Sequence, residues 1–347
     1  MSERRIPTLI TLAAAITLVI GLVAGCSSDG DADSAGSSAS GGAGGAFPVT
    51  IDSAVGKATI EKKPTRVVTI GWGSTDAALA LGVVPVGMQD MSGDVDDDSA
   101  ILPWDKPKLK GAQPTLLKYT SKSVPFEQIA ALQPDVILAV NSGLTSEQYS
   151  RLSQVAPTVG YPGKAWQTSW QDQITTAGKA LGETQKAAQL VDSTSALIAK
   201  SKQEHPEFAG KTAAFGSGTT ADNFNMYLAT DSRVQLLKDL GFTISPSVPT
   251  APSPGGSSYA VPTSIERLGD IESDVMVAWY LSDSVRSGLE GNDVFRTMPA
   301  VARHGYVRLD EPALVYATSA VTVLSLPWML DRYLPRLSDA AQGKARA

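Results

Sequence analysis

The chain has one cysteine, Cys26, and two histidines, His205 and His304, among 347 residues. A lone cysteine excludes a disulfide framework and a thiolate metal cluster. Two histidines far apart in sequence do not supply the converging ligands that a bare transition metal needs. There is no GxSxG elbow, no P-loop and no HExxH pair, so the familiar hydrolase, nucleotide and zinc-protease chemistries have no foothold. Residues 216–221 mimic a dinucleotide fingerprint, GxGxxA, but residues 222–227 (DNFNMY) do not open a helix, so the match fails. Basic residues number 29 against 35 acidic ones. That balance, with no basic stripe interleaved with aromatics, argues against a nucleic-acid partner. These absences point to a binding protein with no resident cofactor rather than to an enzyme.

What is present is organised around residues 183–204, ETQKAAQLVDSTSALIAKSKQE. The stretch lacks Gly and Pro, and Ala187, Leu190, Val191, Leu197 and Ile198 recur at helical spacing. Lys200 and Lys202 stand near its end, where the helix dipole favours cations, and Pro206 stops it. Such a helix runs about 33 Å.

Its two flanks repeat each other. Residues 127–140 (EQIAALQPDVILAV) align without a gap on residues 266–279 (ERLGDIESDVMVAW), Glu on Glu and Asp on Asp. Each reads as a short helix, a turn at the Asp and a buried strand. A second echo sets residues 80–83 (ALGV) beside residues 239–242 (DLGF), a helix closed by Gly. The pattern predicts an α/β fold of two Rossmann-like lobes joined by a single long helix, with a ligand cleft between the lobes.

Residues 1–26 carry Arg4 and Arg5, an apolar run over residues 9–23, and small residues before Cys26. They resemble a bacterial lipoprotein signal whose cysteine becomes lipidated. Residues 27–46 (SSDGDADSAGSSASGGAGGA) read as a disordered tether with a typical span of roughly 25 Å. The expected organisation is therefore 1–26 signal, 27–46 tether, 47–182 N-terminal lobe, 183–206 bridging helix and 207–347 C-terminal lobe. Its place is the extracytoplasmic face of the cell membrane, as a lipid-anchored monomer.

Candidate cleft residues are chosen by position. Strands are expected at 67–70, 83–86, 136–140, 212–215 and 275–279, and ligands of open α/β sheets bind beyond strand carboxyl ends. Trp72 falls on that rim in the first lobe, and Trp279 and Tyr280 fall on the matching rim of the second. Trp104 either caps the cleft or packs on its own loop, Arg233 stands near a helix start, and Arg286 comes after a strand. Residues 94–98 (DVDDD) read as a solvated acidic loop, because Ser99 occupies the place of the glycine that a calcium loop requires. A final helix is expected over 317–334, bent at Pro327. Glu127 and Glu266 each lie in a first helical turn, and Thr263 with Glu266 reads as a capping box. As a pair in equivalent places they suit capture by partner arginines.

Residues 66–68 (RVV), 78–82 (ALALG), 125–137 (PFEQIAALQPDVI), 236–241 (LLKDLG), 264–268 (SIERL) and 298–301 (MPAV) together resemble periplasmic binding proteins of the long-helix class. Within it, they resemble the ferric-siderophore-binding lipoproteins of ABC importers. The resemblance runs from about residue 47 to the C-terminus. It implies that Glu127 and Glu266 dock on arginines of the permease transmembrane subunits. It also implies that Trp72, Trp104, Arg233, Trp279, Tyr280 and Arg286 contact an iron(III)–siderophore complex. Arginines beside aromatics suit an anionic iron chelate. Relatives of this fold that bind haem or cobalamin are the alternative, with His304 or Tyr316 as an axial ligand for haem. A chelatase-like enzyme would need a converging His/Glu pair that is not found.

Overall fold

The computed structural model describes residues 46–120, 122–220, 223–257 and 259–345. The signal, Cys26 and residues 27–45 of the tether lie outside the described residues. Residues 44–347 form one compact unit. Among the described residues, no helix is long and apolar enough to cross a membrane.

A hairpin, β1 (Val49–Ser53) and β2 (Gly56–Ile60), precedes the first sheet. That sheet comprises β3 (Val67–Thr69), β4 (Gly87–Gln89), β5 (Thr115–Leu117), β6 (Val136–Leu138) and β7 (Thr158–Val159) in the order β5-β4-β3-β6-β7. All its pairings are parallel. The apolar runs Val67-Val68 and Val136-Ile137-Leu138 are fully buried, as strands covered on both faces must be. The strand expected at 83–86 forms later, at β4, because the chain first leaves the helix Ser74–Ala80 through Gly82.

The second sheet holds β8 (Thr212–Gly218), β9 (Asn223–Tyr227), β10 (Thr243–Ile244), β11 (Ala260–Ser264), β12 (Val275–Tyr280) and β13 (Tyr306–Leu309). Its order is β11-β9-β8-β12-β13, with β10 also on β8. Residues 216–218 of the GxG pattern belong to β8. A Cβ on Gly216 would lie 2.2 Å from the Phe224 ring, so that glycine serves strand-to-side-chain packing. Ala221 of the same pattern lies outside the described residues.

Between the sheets runs the helix Thr184–Glu204. Ala187, Leu190 and Val191 pack with the core around Val67, whereas Leu197 and Ile198 pack with the core around Phe215. One helix thus seats its two halves on two cores. The segment 91–105 also reaches from the first lobe into the second, where Met91, Leu102 and Trp104 join the Phe215 core.

The internal repeat holds at the level of single hydrogen bonds. Asp135 accepts from the Thr65 amide and hydroxyl at 2.8 and 2.9 Å, and Asp274 accepts from the Thr212 amide and hydroxyl at the same distances. Burial pushes both carboxyls up, yet the donated bonds outweigh it and leave each below its ordinary value. The helix ends match too. Gly82 and Gly241 have φ of 88° and 114°, and the next amides, of Val83 and Phe242, return to the carbonyls five residues back.

Two expectations need correction. Residues 265–270 form a 3-10 turn, and Thr263 lies in β11 opposite Phe224, so no capping box forms with Glu266. The C-terminal helix is two helices, Pro312–Ser319 and Ser325–Ala341, separated by an extended break. Pro327 sits in the first turn of the second helix, where its missing N–H has no intrahelical duty.

Candidate functional site

Carboxyl ends of parallel strands present loops and helix starts to solvent, and both lobes turn these ends to one cleft of about 890 Å³. The first lobe contributes Trp72, Gln89, Asp90, Asp94, Tyr119 and Trp166. The second contributes Tyr227, Arg233, Tyr259, Trp279, Tyr280, Arg286 and Tyr316, with Asp231, Asp283 and Asp310. Eight aromatic side chains therefore wall the space.

Trp72 comes after β3 on a turn that needs left-handed backbone at Gly71 (φ 76°) and Gly73 (φ 69°). Its amide donates to the Asn141 carbonyl at 2.8 Å, and its ring meets Trp166 at 5.0 Å and Tyr316 at 6.0 Å. On the facing wall the Trp279 indole N–H donates to the Tyr227 hydroxyl at 3.1 Å. Tyr280 shares a 2.7 Å hydrogen bond with Tyr306, and Tyr306 donates to Glu290 at 2.9 Å.

The arginines are already engaged. Arg233 donates from Nη1 to both Asp231 oxygens at 3.1 and 2.9 Å, with both side chains 7% exposed. Its Nε donates to Ser319, and its guanidinium lies 4.1 Å from the Tyr227 ring centre. Arg286 pairs with Asp283 at 3.2 Å and with Glu290 at 3.1 Å. Both arginines are thus paired with carboxylates of their own lobe.

Below the cleft floor lies a buried acidic seam. Asp76 accepts from Trp104 Nε1 at 2.7 Å and from the Thr322 hydroxyl at 2.5 Å, joining the first lobe to the break between the C-terminal helices. Asp105 is fully buried, with no hydrogen-bond partner on either carboxylate oxygen. Burial pushes both carboxyls up, and Asp76 raises Asp105 further. Burial alone lifts Asp94 to about 6. The Tyr316 phenol is pushed up by burial and then by Asp76, Asp94 and Asp105, so it stays protonated.

Of the six expected cleft residues, the structure brings together Trp72, Arg233, Trp279, Tyr280 and Arg286. Trp104 is not among the lining residues. It is 5% exposed and packs on Trp328 at 5.0 Å, with Tyr316 between it and the cleft side. Asp94, read from sequence as part of a solvated loop, lines the cleft. Tyr119, Trp166, Tyr227 and Tyr259 were not singled out from sequence. Tyr227 was the most legible of them, since it ends a strand six residues before Arg233. His304 is exposed before β13, at the amino ends of the strands and away from the cleft. His205 stacks on Phe208 and pairs with Glu207. Glu127 and Glu266 are exposed, in the first turns of the helix Phe126–Ala131 and of the 3-10 turn Ile265–Asp270, and neither lines the cleft. Among the described residues, no group of three or more His, Cys, Asp or Glu is arranged to hold a metal ion.

Comparison with known proteins agrees with this architecture. Residues 67–313 match the family described as periplasmic binding protein. The chain is 26% identical over 270 residues to the Fe(3+)-citrate-binding protein YfmC of Bacillus subtilis, covering 77% of this chain and 78% of that one. It is 27% identical over 272 residues to the putative ABC transporter substrate-binding lipoprotein YhfQ of the same organism, covering 75% and 80%. Among solved structures, Streptococcus pneumoniae PiaA in complex with ferrichrome superposes with a TM-score of 0.76 at 33% identity, covering 86% of this chain and 99% of that one.

Proposed function

The chain belongs to the periplasmic binding protein family, and from that premise we propose that it is the substrate-binding lipoprotein of an ABC importer, capturing an iron(III)–siderophore complex and handing it over unchanged. The observation that carries this reading is the aromatic-walled cleft of about 890 Å³ at the carboxyl ends of both sheets. Its size suits a compact chelate, and ring faces suit a ligand that presents apolar chelate arms. PiaA, which is seen with ferrichrome, shares the fold at 33% identity, and relatives carry ferric-citrate and lipoprotein names.

The anchor of this reading is Cys26, lipidated at the extracytoplasmic face of the membrane, with residues 27–46 as the tether. The delivery partners are the permease transmembrane subunits, met through Glu127 and Glu266. The protein acts as a monomer and catalyses no reaction. The two haem ligands named from sequence do not favour that cargo: His304 is away from the cleft, and Tyr316 is held as the neutral phenol, a poor axial ligand.

Trp72, Trp166 and Trp279 make the cleft its own reporter. Titrating the unlipidated chain, from residue 44, with ferric hydroxamates, ferric catecholates, haem and cobalamin should quench tryptophan emission saturably with a ferric siderophore alone. Saturable binding of haem or cobalamin, with none by any ferric siderophore, would overturn the proposal.

A further inference from the structure

The charge inventory of the cleft narrows the cargo. Five carboxylates line it, on Asp90, Asp94, Asp231, Asp283 and Asp310, against two guanidiniums and no lysine. Asp231 and Arg233 cancel each other in a nearly buried pair, and Arg286 is held between Asp283 and Glu290. Asp310 is shared between Arg308 and Arg336 at 3.5 and 3.3 Å. What remains uncompensated stands on the first lobe. Among the described residues neither Asp90 nor Asp94 has an ion-pair partner, and the Asp90 carboxylate accepts only from the Ser92 amide, at 2.8 Å.

Beneath them lie two further carboxyls, Asp76 and Asp105, which burial pushes up towards their protonated forms, so the charge that faces the cleft is that of Asp90 and Asp94. The first-lobe side of the cleft therefore presents two unpaired acids among aromatic rings. An anion placed there meets like charge beside low-dielectric walls, where repulsion is less screened than in bulk. A cation meets both unpaired carboxylates and ring faces that attract positive charge.

On the reading that the cargo is a ferric siderophore, we infer that it is an iron(III) hydroxamate complex of zero or positive net charge, held best when it bears a free ammonium group that approaches Asp90 and Asp94. Carboxylate and catecholate chelates, whose ferric complexes are anionic, are selected against. Hydroxamates fit because three of them neutralise ferric iron without residual charge. A pendant amine then sets the net charge of the whole.

A matched pair of ligands isolates the charge. Ferrioxamine B carries a free ammonium, and its N-acetylated form has the same iron shell without it. Calorimetric titration of the chain from residue 44 should show ferrioxamine B binding about 3- to 10-fold more tightly than the acetylated complex. The gap should close in about 0.5 M salt, where charges are screened within a few ångströms. Ferric enterobactin and ferric dicitrate should bind about a hundredfold more weakly than either. The double substitution Asp90→Asn with Asp94→Asn should shrink the ratio between the matched pair towards one. An anionic complex binding as tightly as the acetylated one overturns the inference. So does equal affinity for the matched pair at low salt, and the parent chain decides this even if the variant does not fold. Binding of haem or cobalamin with no ferric complex bound would instead overturn the underlying functional reading.

Discussion

At the scale of single residues, Asp105 is a costly side chain by elementary accounting. It is a carboxylate out of water with neither oxygen hydrogen-bonded, beside a second buried acid, Asp76. Its folded value lies above its unfolded one, so the native state binds more protons at intermediate pH. Stability from this group is fully present in acid below about 4, and it is lost as pH rises through the raised folded value. Asp105→Asn should therefore raise stability at pH 7 by about 1–3 kcal/mol, with the gain shrinking towards pH 4. Thermal unfolding across that range checks it, and a gain independent of pH would refute it. Sequence revealed little of this. The aspartate was visible, but burial, which decides its chemistry, comes from tertiary packing, where it shares a small internal space with Asp76, Met88, Met91, Leu102 and Tyr316. The same holds for Arg233: its position near a helix start was legible, whereas its neutralisation by Asp231 is a matter of rotamer and contact.

At the scale of elements, most of the fold could be read. Long apolar periodicity gave the helix Thr184–Glu204, and the duplicated Glu–Asp stretch gave β6 and β12, because helical period and a buried strand are local signals. The C-terminal break and the hairpin of β1 and β2 were not read, since tertiary contacts rather than local pattern place them. Each lobe stops a helix with a left-handed glycine, and this gives a second test. Gly241 has φ 114°, and a Cβ there would find its nearest neighbour, Lys202 Cγ, only at 3.4 Å. The strain is thus in the backbone rather than in packing. Gly241→Ala should cost about 1–2 kcal/mol in urea unfolding. Gly163→Ala, with open space around it and no left-handed angle, should stay within about 0.5 kcal/mol of the parent.

At the scale of the whole molecule, the proposed docking glutamates Glu127 and Glu266 are exposed and are not among the cleft's lining residues, so delivery is proposed to use different residues from capture. Reversing charge at both Glu127 and Glu266, to Arg, should abolish uptake into cells while ligand affinity measured on the isolated chain is unchanged. Loss of affinity as well would trace the defect to the fold instead of to docking. The spanning helix and the shared core predict a small, clamp-like adjustment on loading rather than a wide swing.

The insertion of Met91, Leu102 and Trp104 into the neighbouring lobe has one more consequence. Side chains of one lobe seated in the core of the other tie the two walls together, so little rearranging is left to do when a solute arrives. Selection among solutes then rests on how each fits rings and carboxyls already in place, which makes a solute's outer surface the part this cleft reads.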